Sequence, residues 1–353
     1  VAKRILIAAG GTAGHVVPAL AVADALRADG AEVAFVGGER AEAALVPQAG
    51  YALHPLGALR GLDRRNPLRA ARAALRAVGA VGRSLRLLRA ERPAAVLGAG
   101  GYVAGPVGLA AVLRRVPLVL AEADSHLGLT NRLLAPFARR VCLAFPLDGR
   151  EPPRYRVTGR PIPPPATDRD AARAAFGLGE HDTCVLVFGG SLGARSINEA
   201  SVEAFAGADF RVLHICGERD YPALRERVPR GGYDLRPYLD LALFREALLA
   251  ADLVVARSGG SVFEIAAHGR PALLVPYPHA AADHQTSNAR WMAEGGAAVV
   301  VADAELTAPR LAHEVAALIG DPARLTAMGR ASTALARPCA AADVAEEVLA
   351  AAG

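Results

Sequence analysis

Four times along this chain an apolar run of β type ends in paired glycines and leads into a segment of helical period: at Gly10-Gly11, Gly100-Gly101, Gly189-Gly190 and Gly259-Gly260. Strands that alternate with helices pair in parallel, because parallel neighbours need a crossover connection, and the helices then cover both faces of the sheet. The strand candidates are Arg4–Ala9, Glu32–Val36, Ala94–Leu97, Pro117–Ala121 and Arg140–Leu143, followed by Cys184–Phe188, Arg211–Ile215, Leu253–Ala256, Ala272–Val275 and Ala298–Val301. At 353 residues, 52% of them apolar, the chain is too long for one ordinary domain and too rich in core-forming residues for disorder. The predicted class is α/β, in two domains each built on a parallel sheet. Pro161, Pro163, Pro164 and Pro165 crowd the span 158–167 and place a stiff crossing between the halves there.

Composition narrows the function classes. Forty basic against 35 acidic residues give a net charge of +5, which suits phosphates, nucleic acid or an anionic membrane surface. Aromatic residues are only 5% of the chain, and the arginines are spread through both halves except for a cluster over 60–92, so no base-stacking platform and no nucleic-acid partner are expected. Lys3 is the sole lysine, which excludes a Walker-type phosphate loop. Neither the stretch Gly10–Gly14 nor Gly98–Tyr102 has the dinucleotide spacing; Glu39 alone would suit such a cofactor. Cys142, Cys184, Cys216 and Cys339 have neither zinc-site nor disulfide-framework spacing and read as small core residues in a reducing compartment. The basic-apolar start imitates a signal peptide, but Gly10, Gly11, His15 and Pro18 break it. The uncharged stretch 93–113 contains five glycines and two prolines, and so reads as strand, loop and helix rather than a membrane span.

A glycine at a strand end lets the backbone approach a phosphate, and the following helix N-terminus favours the anion; a plain tight turn is the other use of such a pair. Ligands of open parallel sheets lie beyond the carboxyl ends of the strands, so the four loops are expected to face one cleft. His15 falls in the first turn of a helix whose apolar face is Val16, Ala19, Leu20, Val22, Ala23 and Leu26. A helix N-terminus disfavours imidazolium, leaving His15 neutral and able to accept a proton; a histidine bonded to its own loop is the plainer reading. Glu122 and Asp124 either orient a sugar hydroxyl or cap the helix through Leu129–Leu134. Ser191 either bonds a phosphate or caps a helix. Ser261 and Glu264 fit a capping box, and Glu264 equally fits a carboxylate that accepts ribose hydroxyls. Asp283-His284-Gln285-Thr286 marks a loop-to-helix junction.

Together these motifs become more specific. The run from Gly10 to Ala21, the run Gly100-Gly101-Tyr102-Val103-Ala104-Gly105-Pro106, and Phe188 to Arg195 with Ile197-Asn198 resemble, in order, the three glycine loops of the MurG family of bacterial peptidoglycan N-acetylglucosaminyltransferases. Gly128-Leu129-Thr130-Asn131, Arg257-Ser258-Gly259-Gly260 with Glu264, and His284-Gln285-Thr286 with Asn288-Ala289 extend the likeness, which runs from residue 3 to about 335. The resemblance implies a GT-B glycosyltransferase: two Rossmann-like domains with parallel sheets facing a central cleft. Residues 1–160 would form the acceptor and membrane side, 161–337 the UDP-sugar-binding domain, and a helix over 338–353 would return to the first domain. The implied activity is inverting transfer of N-acetylglucosamine from UDP-N-acetylglucosamine to the C4 hydroxyl of the muramoyl sugar of lipid I, giving lipid II and UDP. Another UDP-sugar enzyme of this fold, such as a UDP-N-acetylglucosamine 2-epimerase, is the alternative.

Carried over by position, His15 is the implied base, with Glu122 beside it at the catalytic centre. Glu264 would hold the ribose, Ser191 the diphosphate and Gln285 the donor sugar, with backbone contacts from Gly259, Gly260 and Ser261. Thr12, Ala13 and Gly14 would approach the donor from the opposite domain, and backbone near Leu239 would take the uracil. Gly11, Gly101 and Tyr102 belong to the acceptor-side loops. No metal or other cofactor is expected, because helix N-termini serve the leaving diphosphate. Two departures shift roles: Glu122-Ala123-Asp124 stands where the family has Glu-Gln-Asn, so Asp124 inherits a donor contact although an ionised carboxylate cannot donate. Gly159-Arg160-Pro161-Ile162-Pro163 stands where the family has Gly-Asn-Pro-Val-Arg, so Arg160 takes the arginine's place. Lipid I is membrane-anchored, and Leu68, Ala71, Leu75 and Val78 share one helical side while Arg69, Arg72, Arg76 and Arg83 share another. Such a face over 68–92 reads as an anionic-membrane docking helix or as a core-facing helix with a solvated basic side. The implied location is the cytoplasmic face of the bacterial plasma membrane, held peripherally.

Overall fold

The computed structural model describes residues 2–57, 67–190, 193–228 and 231–353. The chain forms two compact units: Val1–Pro164 with Arg337–Gly353, and Pro165–Ala336. In the first unit the strands are β1 (Arg4–Ala8), β2 (Glu32–Gly37), β3 (Ala52–Pro55), β4 (Ala95–Gly98), β5 (Leu118–Glu122), β6 (Arg140–Leu143) and β7 (Tyr155–Val157). Its helices are α1 (Ala13–Ala28), α2 (Ala41–Gln48), α3 (Pro67–Glu91), α4 (Gly101–Arg114) and α5 (Leu129–Leu134). Among the described residues the sheet is wholly parallel, in the order β3-β2-β1-β4-β5-β6-β7. Successive residues of a strand point to opposite faces. Ile5 and Ile7 therefore enter one core with α1, whereas Leu6 and Ala8 enter the other with Val103, Ala104 and Val107 of α4.

The second unit carries β8 (Cys184–Phe188), β9 (Arg211–Ile215), β10 (Tyr233–Arg236), β11 (Leu253–Ala256), β12 (Ala272–Leu274) and β13 (Ala298–Val300), in the parallel order β10-β9-β8-β11-β12-β13. Its helices are α6 (Arg169–Ala175), α7 (Arg195–Ala204), α8 (Tyr221–Leu224), α9 (Leu241–Ala250), α10 (Val262–Ala267), α11 (His284–Glu294), α12 (Ala308–Ile319) and α13 (Pro322–Leu335). The last helix, α14 (Ala340–Ala351), belongs to the first unit, where Val344, Ala345 and Val348 join the core under α1.

In each sheet the chain winds outward one way and then the other. The switch points lie between β1 and β4 and between β8 and β11, where open α/β sheets bind ligands. The four glycine pairs follow those four strands.

Three strands escaped the sequence reading: β3, β7 and β10. All are sheet edges with half-exposed patterns, so they carry no apolar run to announce them. Cys339 corrects the expectation of four core cysteines, since it is exposed while Cys142, Cys184 and Cys216 are buried. The uncharged stretch 93–113 is β4, a glycine turn and most of α4; among the described residues no helix is long and apolar enough to cross a membrane.

Candidate active site

In the first unit a cavity of about 170 Å³ opens beyond the ends of β4 and β5, lined by His15, Gly100, Gly101, Glu122, Asp124 and the start of α5. The loop after β1 brings His15 there. Gly11 adopts φ 109°, Thr12 is extended, and the Thr12 carbonyl accepts the His15 amide at 3.0 Å to begin α1. The second loop closes on the first, for a Cβ on Gly101 would land on the Gly10 carbonyl oxygen, and one on Gly100 would come 2.7 Å from His15 Nδ1. Both positions therefore require glycine, and both have positive φ.

His15 Nδ1 is buried without a hydrogen-bond partner, so the ring is not tied to its own loop through that atom. Burial holds the imidazole below its ordinary pKa, the Arg160 guanidinium lowers it further, and Asp124 pulls it back up. The result is a neutral ring at neutral pH. Arg160 is itself buried, and its Nη2 donates to the Gly14 carbonyl. It fixes the loop it faces and meets the Ala123 carbonyl at 3.5 Å.

Glu122 ends β5 with its carboxylate turned inward. Oε2 accepts the Gly128 amide at 2.8 Å and Asn131 Nδ2 at 2.9 Å, and Oε1 accepts the Asp124 amide at 3.2 Å. Burial raises its pKa, and these three hydrogen bonds pull it the other way. The carboxylate shapes the loop that presents Asp124 to the cavity.

In the second unit the loop after β8 bears Gly189, Gly190 and Gly193, and a Cβ on Gly189 would land on the Ala194 amide. Helix α7 then starts at Arg195 with no side-chain cap on its free amides. Ser191, expected at the diphosphate, lies outside the described residues. Buried Asn198 anchors α7 from below: its Nδ2 donates to the Cys216 carbonyl and to Asp220, and its Oδ1 meets His214 Nε2 at 3.0 Å. Burial drives the His214 pKa down to about 3, so this histidine is a neutral structural link to Tyr233.

The loop after β11 is held from three sides. Arg257 Nη1 donates to Asp303 at 2.6 Å and its Nη2 to Ser196 at 2.8 Å; Asn288 Nδ2 donates to the Ser258 carbonyl; the Ser258 hydroxyl donates to the Gln285 carbonyl. Gln285 Oε1 accepts the Tyr277 amide at 3.0 Å, which leaves its Nε2 turned toward Gly259. The capping box expected at Ser261 and Glu264 does not form. Ser261 is already helical and its side chain makes no cap, so the serine half of the box is missing; Glu264 is half-buried in the first turn of α10. Leu239 is buried just ahead of α9, whose N-cap Asp240 accepts the Leu243 amide at 2.8 Å.

Among the described residues no group of three His, Cys, Asp or Glu is placed to hold a metal ion. Asp168-Arg169-Asp170 has the spacing of an Asp-x-Asp metal motif, but it starts α6, where Asp168 is the N-cap and accepts the Ala171 amide. Sequence reasoning missed Glu42, which is fully buried against both glycine loops. It weighed Glu39 instead, and only the absence of side chains at Gly10, Gly37 and Gly38 hints at a buried group nearby.

Models of the glycosyltransferase family 28 N-terminal and C-terminal domains match residues 5–143 and 184–346. A curated relative from Moorella thermoacetica is 42% identical over 365 residues, covering 98% of each chain. It is named UDP-N-acetylglucosamine–N-acetylmuramyl-(pentapeptide) pyrophosphoryl-undecaprenol N-acetylglucosamine transferase. The crystal structure of Acinetobacter baumannii MurG is similar with a TM-score of 0.77 at 28% identity, covering 99% of both chains. A UDP-GlcNAc 2-epimerase from Neisseria meningitidis, bound to UDP-GlcNAc, has a TM-score of 0.68 at 13% identity over 98% of this chain and all of that one, a likeness of fold alone.

Proposed function

The chain belongs to glycosyltransferase family 28, and from that premise we propose that it is an inverting UDP-N-acetylglucosamine-dependent hexosyltransferase that converts lipid I into lipid II. Its fold is GT-B, two parallel-sheet α/β units. The observation that carries the reading is His15, whose imidazole lines the cavity beyond β4 and β5, beside the switch point, where burial and the Arg160 charge hold its pKa below the ordinary value. A neutral imidazole is what a general base for an alcohol requires.

The acceptor C4 hydroxyl gives its proton to His15 while its oxygen attacks the anomeric carbon of the donor. The bond from that carbon to the diphosphate breaks, the sugar inverts, and UDP departs with the electron pair. Asp124 favours the imidazolium as it forms, since its charge acts in that direction. In the second unit the free amides at the start of α7 and of the Gly259–Ser261 turn take the growing charge on the leaving diphosphate, and the family likeness gives Ser191 the same ligand. Glu264 accepts the ribose hydroxyls, Gln285 Nε2 donates to the sugar, and the backbone around Leu239 takes the base. Thr12, Ala13 and Gly14 supply backbone on the acceptor side. Transfer of labelled N-acetylglucosamine to a lipid I analogue tests the scheme: UDP is released only with acceptor present, and a chelator leaves the rate unchanged. Release of UDP without acceptor would favour hydrolysis or epimerase chemistry instead.

The lipid-linked acceptor calls for a membrane-facing surface, and the first unit offers one. Val78 is 72% exposed on α3 near exposed Arg76 and Arg83; the side chains of Leu68, Arg69, Ala71, Arg72 and Leu75 lie outside the described residues. On α4 and α5, which pack together, Leu113 and Leu133 are about as exposed as Phe137 beyond them. Apolar side chains beside arginines favour an anionic lipid surface, each near-surface arginine contributing about 1 kcal/mol. Vesicles containing phosphatidylglycerol should bind the protein at low salt and release it at high salt. Equal partition to neutral vesicles would contradict the docking face.

A further inference from the structure

Three segments of the first unit meet at one carboxylate that the transfer scheme leaves without a task. Glu42, the second residue of α2, is fully buried. Its Oε2 accepts the Gly11 amide at 2.8 Å, and its Oε1 accepts the Gly38 amide at 2.8 Å and the Tyr102 hydroxyl at 3.4 Å. The loops after β1 and β2 and the first turn of α4 are thereby tied to a single side chain.

Glycines make the space. A Cβ on Gly10 or on Gly38 would come 2.9 Å from Glu42 Oε1, and one on Gly37 would come 2.8 Å from its Cγ. The carboxylate fills the gap those three residues leave. A buried carboxylate needs hydrogen-bond donors to offset its lost hydration, and the two amides and the Tyr102 hydroxyl supply them. The Gly11 amide, which opens the glycine loop, is thus already engaged by an internal carboxylate. Gly11 takes φ 109°, and His15 follows it by four residues, so any drift of Gly11 passes into the first turn of α1.

We propose that Glu42 is a positioning residue for the transfer reaction: by binding the Gly11 and Gly38 amides it fixes the β1–α1 loop, and with it the His15 imidazole, without touching substrate. The inference rests on His15 being the base. A misplacement near 1 Å at a reacting group costs about a hundredfold in rate, which sets the scale of the expected effect.

The test uses the full chain and two variants. Glu42→Gln keeps one acceptor oxygen for two amides, while Gly38→Ala keeps the charge and pushes the carboxylate aside. In both, amide exchange over residues 10–16 should quicken by about tenfold or more. In both, kcat should fall about 10- to 100-fold while KM for the sugar nucleotide changes less than about twofold. UDP affinity, read from Trp291 in the second unit, should hold, and the acid limb of kcat should move up toward the ordinary imidazole range as the ring gains solvent. Wild-type exchange in the loop overturns the tether; faster exchange with wild-type kcat overturns the positioning role. Loss of UDP affinity in proportion to kcat in both variants also overturns it, because that is general damage. Failure of the base assignment is read separately, from the turnover of His15→Ala, in which Glu42 is intact.

Discussion

At the residue scale one imidazole, His15, is kept neutral by the groups around it. Burial and the Arg160 charge lower the His15 pKa from 6.5, and Asp124 opposes them. The base must be unprotonated, so kcat is full above that pKa and falls as pH drops through it. The acid limb is therefore expected below 6.5. Asp124→Asn removes the charge that favours imidazolium and should move the limb to lower pH; Arg160→Gln removes the charge that disfavours it and should move the limb up. General loosening of the loops would shift both variants the same way, so opposite shifts in the two pH–rate profiles identify the electrostatic cause. His15, Glu122, Asp124 and Arg160 were legible from the chain as candidates. The tasks of the two carboxylates were not, because whether a carboxylate faces a cavity or two backbone amides depends on how its loop folds back, and no local spacing encodes that.

At the element scale, strand ends and caps decide what each loop offers. Central strands such as β1, β4, β8 and β11 are buried on both faces and so read as apolar runs, whereas β3, β7 and β10 lie at edges and gave no such signal. Caps were the less legible feature. Ser261 and Glu264 have the spacing of a capping box, yet Ser261 enters α10 already helical, which frees its side chain from that duty. Asp240 does cap α9, beside the backbone proposed to take the uracil. Asp240→Ala should cost about 1 kcal/mol of stability. It should also weaken UDP binding by more than a cap elsewhere: comparison with Asp321→Ala at the start of α13, by thermal melting and nucleotide titration, separates the two effects.

At the scale of the whole molecule, chain order and domain membership differ in one place. The chain leaves the first unit near Pro164 and returns at Arg337, so that α14 completes a core begun by α1. Glu347 holds the return, bonding Arg156 Nη1 at 2.7 Å and Arg140 Nε at 2.9 Å. Fully buried Val344 packs in that core, and Val344→Ala should destabilise the first unit by about 2 kcal/mol without altering nucleotide affinity. Calorimetry with and without UDP checks this: the melting shift should be confined to a transition that UDP does not raise. The proline-rich crossing and the glycine pairs announced two domains, but the winding order that puts those pairs at two switch points became visible only in the sheets.

The most direct measurement is sugar transfer to a lipid I analogue by the wild-type chain and by His15→Ala, with UDP affinity measured on the same samples. The wild type should form the disaccharide product, and the variant should lose about a hundredfold or more in kcat while binding UDP as before. A variant that turns over like the wild type would contradict the claim that this imidazole takes the acceptor proton.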